Sequence, residues 1–539
     1  MAVSQYAALK ILVVDDFHSF RATLGRLLAE FGCDDVTTVM NGPQALAACR
    51  KHKFDVVLCD YNLGEGPNGQ QVLEELRQRN LLARDSLFLL VSAESSQAIV
   101  LSAYDYSPDA YLTKPINGKS LQQRLDRLLR QRDAMAPIYA RLAAGKIDAA
   151  IGLAEQAIAA GSRYSYACQR LLGNLYMQQD RISEAEKLYT GVLEMRPLDW
   201  AQVGLAQVKR AQGDLPTAIQ WLQRIIDDNP FCLPAYDALA EVYRQLGEAD
   251  KTQQVMQAAV AVSPLSILRQ AELAHTAAAN RDLEVASRAY GRCVKLGENS
   301  CHDHQDNHLQ YGRVTAAWIR ESQLPNALDL AKDGLRVLGN VPRRFELGAV
   351  QRQQVSLLEC QLLSARGEDK SAQELLKDVE ENIELPGDSL DLQLDLVATL
   401  KTLRLDERAE QVLKSLVEQY CGDQPALQRI DLWLEEPVSE RNRKLVAELN
   451  REGIGFYDAN NYARALDSFK RACRLFPHHP GVQLNLLQAL VADMKQHGCS
   501  GEGMELSASL CQRIQQTVQP GGEEFNRFKQ LQQVIKQLH

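Results

Sequence analysis

Four short apolar runs near the start of this chain each end on a polar residue, and that pattern restricts the fold more than anything else in the sequence. KILVV (Lys10 to Val14) is followed by Asp15 and Asp16, and DVVLC stops at Asp60. LFLLV stops at Ser92 and Ala93, and AYLT stops at Lys114 and Pro115. Near-continuous apolar runs of this length are those of strands buried on both faces, as in a parallel sheet. Between them lie amphipathic stretches. In FHSFRATLGRLLAEFG, residues Phe20, Leu24, Leu27, Leu28 and Phe31 share one helical face, and Gly32 acts as a stop. A weaker strand, VTTV, precedes the helix NGPQALAACRKH; QVLEELRQR, AESSQAIVLSAYDY and LQQRLDRLLRQR supply three more helices. Five strands alternating with five helices over residues 1–133 predict an α/β doubly wound, five-stranded parallel sheet.

In such a sheet the carboxyl ends of the strands converge on one edge, where ligands bind. That edge collects three carboxylates (Asp15, Asp16, Asp60), a hydroxyl (Ser92) and an ammonium group (Lys114). Oxygen-rich sites of this kind suit a hard divalent cation that keeps some of its waters. A cation and a lysine together offset the charge of a phosphoryl group.

Residues 1–133 resemble the receiver domain of two-component response regulators, which has a flavodoxin-like fold. The resemblance implies that Asp60 is the phosphoacceptor. It also implies that Asp15, Asp16, Asp60 and the backbone carbonyl of Asn62 hold Mg²⁺ or Mn²⁺. Ser92, the Ala93 backbone and Lys114 would bind the phosphoryl group, and Ser92 with Tyr111 would form the switch. Asn62 and Glu94 occupy the positions that tune hydrolysis in the family. One departure stands out: the loop after Asp60 reads YNLGEGPNGQ, with Pro67 seven and Gly69 nine residues after the acceptor. The family usually places these residues about four and eight after it. An expected donor is a sensor histidine kinase or a histidine phosphotransfer protein.

From Pro137 onward the strand signals vanish and a period near 34 residues takes over. Leu172, Gly173, Tyr176, Ala185, Tyr189 and Pro197 recur as Leu205, Ala206, Ala218, Leu222 and Pro230, then as Tyr236, Leu239, Ala240, Tyr243 and Pro264. A fourth unit has Leu273, Ala274, Ala286 and Tyr290, and Gly453, Phe456, Ala465, Phe469, Ala472 and Pro477 repeat the pattern near the end. This resembles the tetratricopeptide repeat (TPR) pattern, which implies an all-α superhelical solenoid with a concave groove. The expected division is a receiver over 1–133, a partial repeat and four repeats over 134–299, degenerate hairpins over 300–440 and terminal repeats with caps over 441–539. Ala327 and Ala372 mark two hairpins in the degenerate stretch. The groove candidates are Arg170, Asn174, Trp200, Arg210 and Arg244. Arg170 and Asn174 echo a clamp for C-terminal carboxylates, although the matching position in the next repeat is Gly204. Trp200 is either an exposed anchor or a packing residue between repeats.

The net charge is −9, and no Lys/Arg-rich run appears after the first 135 residues. This argues against nucleic acid as a partner. No apolar stretch approaches the roughly 20 residues of a membrane span, and no signal-peptide pattern precedes the first strand. Twelve cysteines occur without a CxxC pair, as in a reducing compartment. A cytoplasmic, bacterial, non-enzymatic signalling protein is expected, with no organic cofactor and with an unidentified protein or peptide in the groove. Self-association stays open. The alternative is a constitutive scaffold whose receiver is a phosphate sink or a kinase-docking module. The segment CHDHQDNH offers Cys301, His302, His304 and His308 as a metal set, or simply a polar loop with a helix cap. His478 and His479 read as turn residues.

Overall fold

Strands β1 (Lys10–Val14), β2 (Asp35–Val39), β3 (Val56–Asp60), β4 (Leu87–Ser92) and β5 (Ala110–Thr113) pair in parallel in the order β2-β1-β3-β4-β5. The computed structural model describes residues 5–93, 97–104, 106–322, 324–382, 389–518 and 521–538. Successive strand residues alternate between two cores, as the pleat requires. Ile11, Val13 and Leu58 join Leu24, Leu28 and Leu125 on one face. Leu12, Val14 and Val57 join Leu46, Val72 and Leu76 on the other. The first core is supplied by helices α1 (His18–Glu30) and α5 (Gly118–Ala143), and the second by α2 (Gly42–Lys51) and α3 (Gly69–Gln78); α4 spans Gln97–Tyr104. Each fully buried Leu contributes about 1.5–3 kcal/mol, so the sheet is anchored on both sides. The expected sheet is therefore present, with β2 as a half-exposed edge strand.

Helix α5 runs through the expected boundary at 133/134 without a break, with Pro137 inside it. Its N-terminal part places Leu125, Leu128 and Leu129 in the sheet core. Immediately after Pro137, Ile138 joins a different core with Ala150, Ala154 and Leu172. A single helix thus belongs to the sheet at one end and to the helical array at the other.

The array continues through α6 (Ile147–Ala159), α7 (Ser165–Gln178), α8 (Ile182–Met195), α9 (Asp199–Ala211), α10 (Leu215–Asp228), α11 (Leu233–Gln245), α12 (Ala249–Val262), α13 (Ile267–Ala279) and α14 (Leu283–Leu296). The period is written in the backbone as well as in the side chains. Gly145, Asp180, Gly213, Gly247 and Arg281 all have positive φ, and each closes a helix in the left-handed conformation at an interval of 33–35 residues. Tyr189 shows why the repeat needs small residues on the helices that flank its large ones. A Cβ added to Gly173 or Gly204 would lie 2.6 or 2.4 Å from its ring.

Residues 1–276 and 288–307 form one compact unit, and residues 277–287 and 308–539 form another. Helices α15 (Gln305–Glu321), α16 (Ala327–Arg344), α17 (Ala349–Ala365), α18 (Asp369–Asn382), α19 (Leu390–Thr402), α20 (Asp406–Gln419) and α21 (Gln424–Ile430) are followed by α22 (Glu440–Asp458), α23 (Tyr462–Leu475), α24 (Pro480–His497), α25 (Gly501–Thr517) and α26 (Glu523–Leu538). Ala372 is fully buried in α18, and in α16 the buried small residues are Ala331 and Gly334, with Ala327 only partly buried. The same small-against-large logic persists: a Cβ on Gly453 would lie 2.5 Å from the Phe469 ring. Between α21 and α22 the chain makes an organised bend. Buried Asp431 accepts hydrogen bonds from Val438 N (2.6 Å), Ser439 Oγ (2.5 Å) and Asn442 Nδ2 (2.9 Å). Among the described residues, no helix is long and apolar enough to cross a membrane.

Candidate functional site

The carboxyl edge of the sheet assembles the residues that the strand ends deliver. β1 ends at Val14, so Asp15 and Asp16 follow on the edge; Asp15 N donates to Val39 O at 3.2 Å. β3 ends on Asp60, which pairs in register with Val91, so Ser92 lies one step further along β4. Ser92 pairs with Thr113, and Lys114 N donates to Ser92 O at 2.8 Å. The Lys114–Pro115 peptide is cis.

Lys114 Nζ lies 2.7 Å from Asp15 Oδ2 and 2.8 Å from Asp60 Oδ2, and 4.2 Å from the centre of the Phe20 ring. Asp15 and Asp60 are 1% and 5% exposed, and Ser92 is buried too. Burial pushes the Asp60 carboxyl above its ordinary range; Lys114 opposes this, and the neighbouring Asp15 and Asp16 charges add to it. Burial acts to lower Lys114, but its hydrogen bonds to Asp15 and Asp60 outweigh that, and it is raised. A buried ammonium bridging two carboxylates is the arrangement these directions describe.

Asp15, Asp16 and Asp60 each offer an oxygen within 4.8 Å of the others. The cluster of hard oxygen donors, with two buried carboxylates sharing one lysine, fits a divalent cation of the Mg²⁺ class. Asn62 is exposed in the adjoining loop, its Oδ1 accepting from Gly64 N at 3.3 Å. Ala93 is exposed just past β4. Tyr111 is partly buried, packed against the core that also receives Tyr106. Glu94 lies outside the described residues.

The lengthened loop after Asp60 still closes tightly on the acceptor. Gly69 N donates to Tyr61 O at 2.9 Å, and a Cβ at Gly69 would lie 2.1 Å from Asp60 O. The glycine nine residues on therefore meets the acceptor's own backbone. Asn68 caps α3 in a reciprocal box with Gln71. Sequence reading missed this contact, because spacing alone does not show which glycine touches Asp60.

The groove candidates separate into two groups. Arg170 and Asn174 are exposed on α7. Arg210 Nη1 sits 3.6 Å from Glu241 Oε1, and Arg244 pairs with both Glu241 and Glu272. Arg269 makes a two-point contact with Asp237 at 2.8 and 3.0 Å. Arg210–Glu241, Arg244–Glu272 and Arg269–Asp237 join consecutive repeats, a pairing that no single repeat reveals. Trp200 is not an exposed anchor: it is half-buried and meets Tyr189 edge-on at 6.1 Å.

The Cys/His segment is also rearranged. His304 is exposed beside Asp306, and His308 is buried edge-on to Phe345 at 5.3 Å. Cys301 and His302 instead converge with Glu74 of α3. His478 is a turn residue as expected, but it stacks on Trp433 with ring centres 6.3 Å apart.

Residues 11–126 match the response regulator receiver domain family, and residues 138–199 and 170–231 match the tetratricopeptide repeat family. Among characterised relatives, the chemotaxis protein CheY-3 of Vibrio cholerae is 29% identical over 120 residues, 22% of this chain and 91% of its own. The chemotaxis protein CheY of Pseudomonas aeruginosa is 27% identical over 120 residues, again 22% of this chain and 95% of its own. Among solved structures, Vibrio cholerae CheY4 covers 22% of this chain and 98% of its own, at 28% identity and a TM-score of 0.21. The beryllofluoride-activated DrrB receiver domain covers 23% and 97%, at 26% identity and a TM-score of 0.20.

Proposed function

We propose, from the premise that this chain joins a two-component response regulator receiver domain to tetratricopeptide repeats, that Asp60 is a phosphoacceptor whose state controls protein binding by the helical array. The observation that carries the reading is Lys114 bridging buried Asp15 and Asp60 beside the Ser92 hydroxyl. Asp60 Oδ attacks the phosphorus of a phosphohistidine on a sensor kinase or phosphotransfer protein. The P–N bond breaks, the imidazole nitrogen leaves with the bonding pair, and an acyl phosphate forms on Asp60. Asp15, Asp16, Asp60 and the Asn62 carbonyl would hold Mg²⁺, which supplies charge neutralisation at the phosphoryl oxygens.

The remaining steps belong to this chain's own groups. Lys114 re-pairs from the Asp60 carboxylate to a phosphoryl oxygen, and the Ala93 amide and Ser92 hydroxyl donate to the other oxygens. Ser92 makes that contact only in the phosphorylated state, so it biases the position of the β4–α4 segment, with Tyr111 following. The contact between α3 and the end of α14 supports a route for the signal. Gln71 Nε2 of α3 donates to Leu296 O (3.4 Å), at the end of α14, and to Glu298 O (3.0 Å), in the loop that follows. The output is read as binding rather than catalysis, in the cytoplasm.

The test is phosphoryl incorporation from a small acyl-phosphate donor with Mg²⁺. The wild-type chain should take up one equivalent and Asp60→Asn none; equal incorporation by the variant refutes the assignment. The alternative, a phosphate sink on a constitutive scaffold, predicts the same incorporation with no change in the repeats.

A further inference from the structure

The contact between α3 and the loop after α14 holds a second cluster of ligating atoms, separate from the acidic edge. Glu74, Cys301 and His302 each place one donor atom within 4.8 Å of the others. Glu74 is 3% exposed, and Cys301 and His302 are partly buried. All three belong to the same compact unit.

The surroundings hold these groups in place. Gln70 Nε2 donates to Glu74 Oε1 at 3.1 Å, and Ser300 Oγ donates to Glu74 Oε2 at 3.0 Å. Ser300 Oγ also accepts from His302 N at 3.1 Å, so one hydroxyl ties the carboxylate to the loop backbone. The Tyr106 ring lies 5.8 Å from the His302 ring, at 31° to it. Gln71 holds the end of α14 and the same loop through one backbone carbonyl each. Orienting groups of this kind are what a metal's outer shell requires.

We infer that Glu74, Cys301 and His302 form a transition-metal site of the Zn²⁺ class, which links the receiver's α3 to the loop after α14. The donor set decides the class. A thiolate and an imidazole favour Zn²⁺ over Mg²⁺, whereas the all-carboxylate edge favours the reverse. Tetrahedral Zn²⁺ at roughly 2.0–2.3 Å from its ligands separates them by about 3.3–3.8 Å, which lies inside the 4.8 Å limit within which the three donors are found. On binding, the Cys301 S–H bond breaks, its proton passes to solvent, and an S–Zn bond forms; water takes the fourth position. The set differs from one drawn within residues 301–308 alone, because His304 and His308 have other surroundings.

The test uses the full-length, tag-free chain in saturating Mg²⁺, so that the acidic edge is occupied. Co²⁺ is titrated as a spectroscopic probe, then displaced with Zn²⁺ alone. One equivalent should bind with a thiolate-to-cobalt charge-transfer band, which carboxylates cannot produce. Cys301→Ser should abolish the band, and His302→Gln and Glu74→Gln should each weaken affinity about 10–100-fold. Cys301→Ser changes a partly buried side chain by one atom, so it reports even if Glu74→Gln compromises folding. Absence of a band, a band that survives Cys301→Ser, or affinity unchanged in all three variants overturns the site. Incorporation of phosphate at Asp60 is scored separately, so failure here leaves the acceptor assignment standing or falling on its own.

Discussion

Gly69→Ala tests the link between the acceptor strand and α3 most sharply. The added methyl would lie 2.1 Å from Asp60 O, 2.9 Å from Asp60 C and 3.2 Å from Cys59 Sγ. To reach an ordinary contact, the start of α3 must move by about 1 Å, because neither the strand backbone nor a fully buried Cys59 can give way. Overpacking of this kind costs roughly 1–3 kcal/mol. Alanine's better helix propensity, about 1 kcal/mol in a helix interior, returns little at a first-turn position. A net loss near 2 kcal/mol corresponds to about 30-fold faster amide exchange wherever exchange requires opening of the sheet. Hydrogen exchange at Val57, Leu58 and Cys59 measures this directly. The same displacement shifts Asp60 and should weaken beryllofluoride binding about tenfold. Exchange in β3 within twofold of wild type, with unchanged beryllofluoride affinity, would refute the contact as the reason for a glycine there.

Two further outcomes follow from the helical array. Asp180 holds φ at 56° where neighbouring repeats use Gly213 and Gly247; Asp180→Gly should stabilise by about 0.5–1 kcal/mol, and Gly213→Ala should destabilise by about 1 kcal/mol, both read by thermal unfolding. His478 is pushed down to about 4 from 6.5, by burial first and then by Lys401 and the arginines Arg320 and Arg281, against the opposing pull of Glu321. Its folded value lies below its unfolded value, so the unfolded chain takes up the proton first as pH falls. Stability of the second unit should therefore drop between pH 6.5 and about 4, by up to roughly 3 kcal/mol from this group; His478→Gln should flatten that part of a stability–pH curve, and an unchanged curve would contradict it.

Much of the receiver was legible because its signals are local. A strand buried on both faces must be apolar throughout, and the residue after it is on the edge by construction. Asp15, Asp60, Ser92 and Lys114 could be placed from the runs preceding them. β2 was faint because it is an edge strand with Thr37 and Thr38 at its centre. At the boundary expected at 133/134 the composition shift marks a change of packing partner within α5, which changes partner without ending. The repeat period was visible in Gly173, Ala185 and Tyr189, whose sizes packing dictates. Pairs such as Arg210–Glu241 and Arg244–Glu272 were not visible, since charge at an inward position does not say whether its partner is a ligand or the next repeat. The grouping of Glu74 with Cys301 and His302 joins residues 227 and 228 positions apart, beyond any spacing rule.

The most direct test of phosphorylation-controlled binding is hydrogen exchange over the full-length chain, with and without Mg²⁺ and beryllofluoride, beside Asp60→Asn. The account predicts Asp60-dependent protection changes at β4–α4 that extend through α3 to residues 296–304 and into the repeats matched over 138–231. Beryllofluoride binding that leaves the repeats and that loop unchanged would contradict it and make the receiver a phosphate sink.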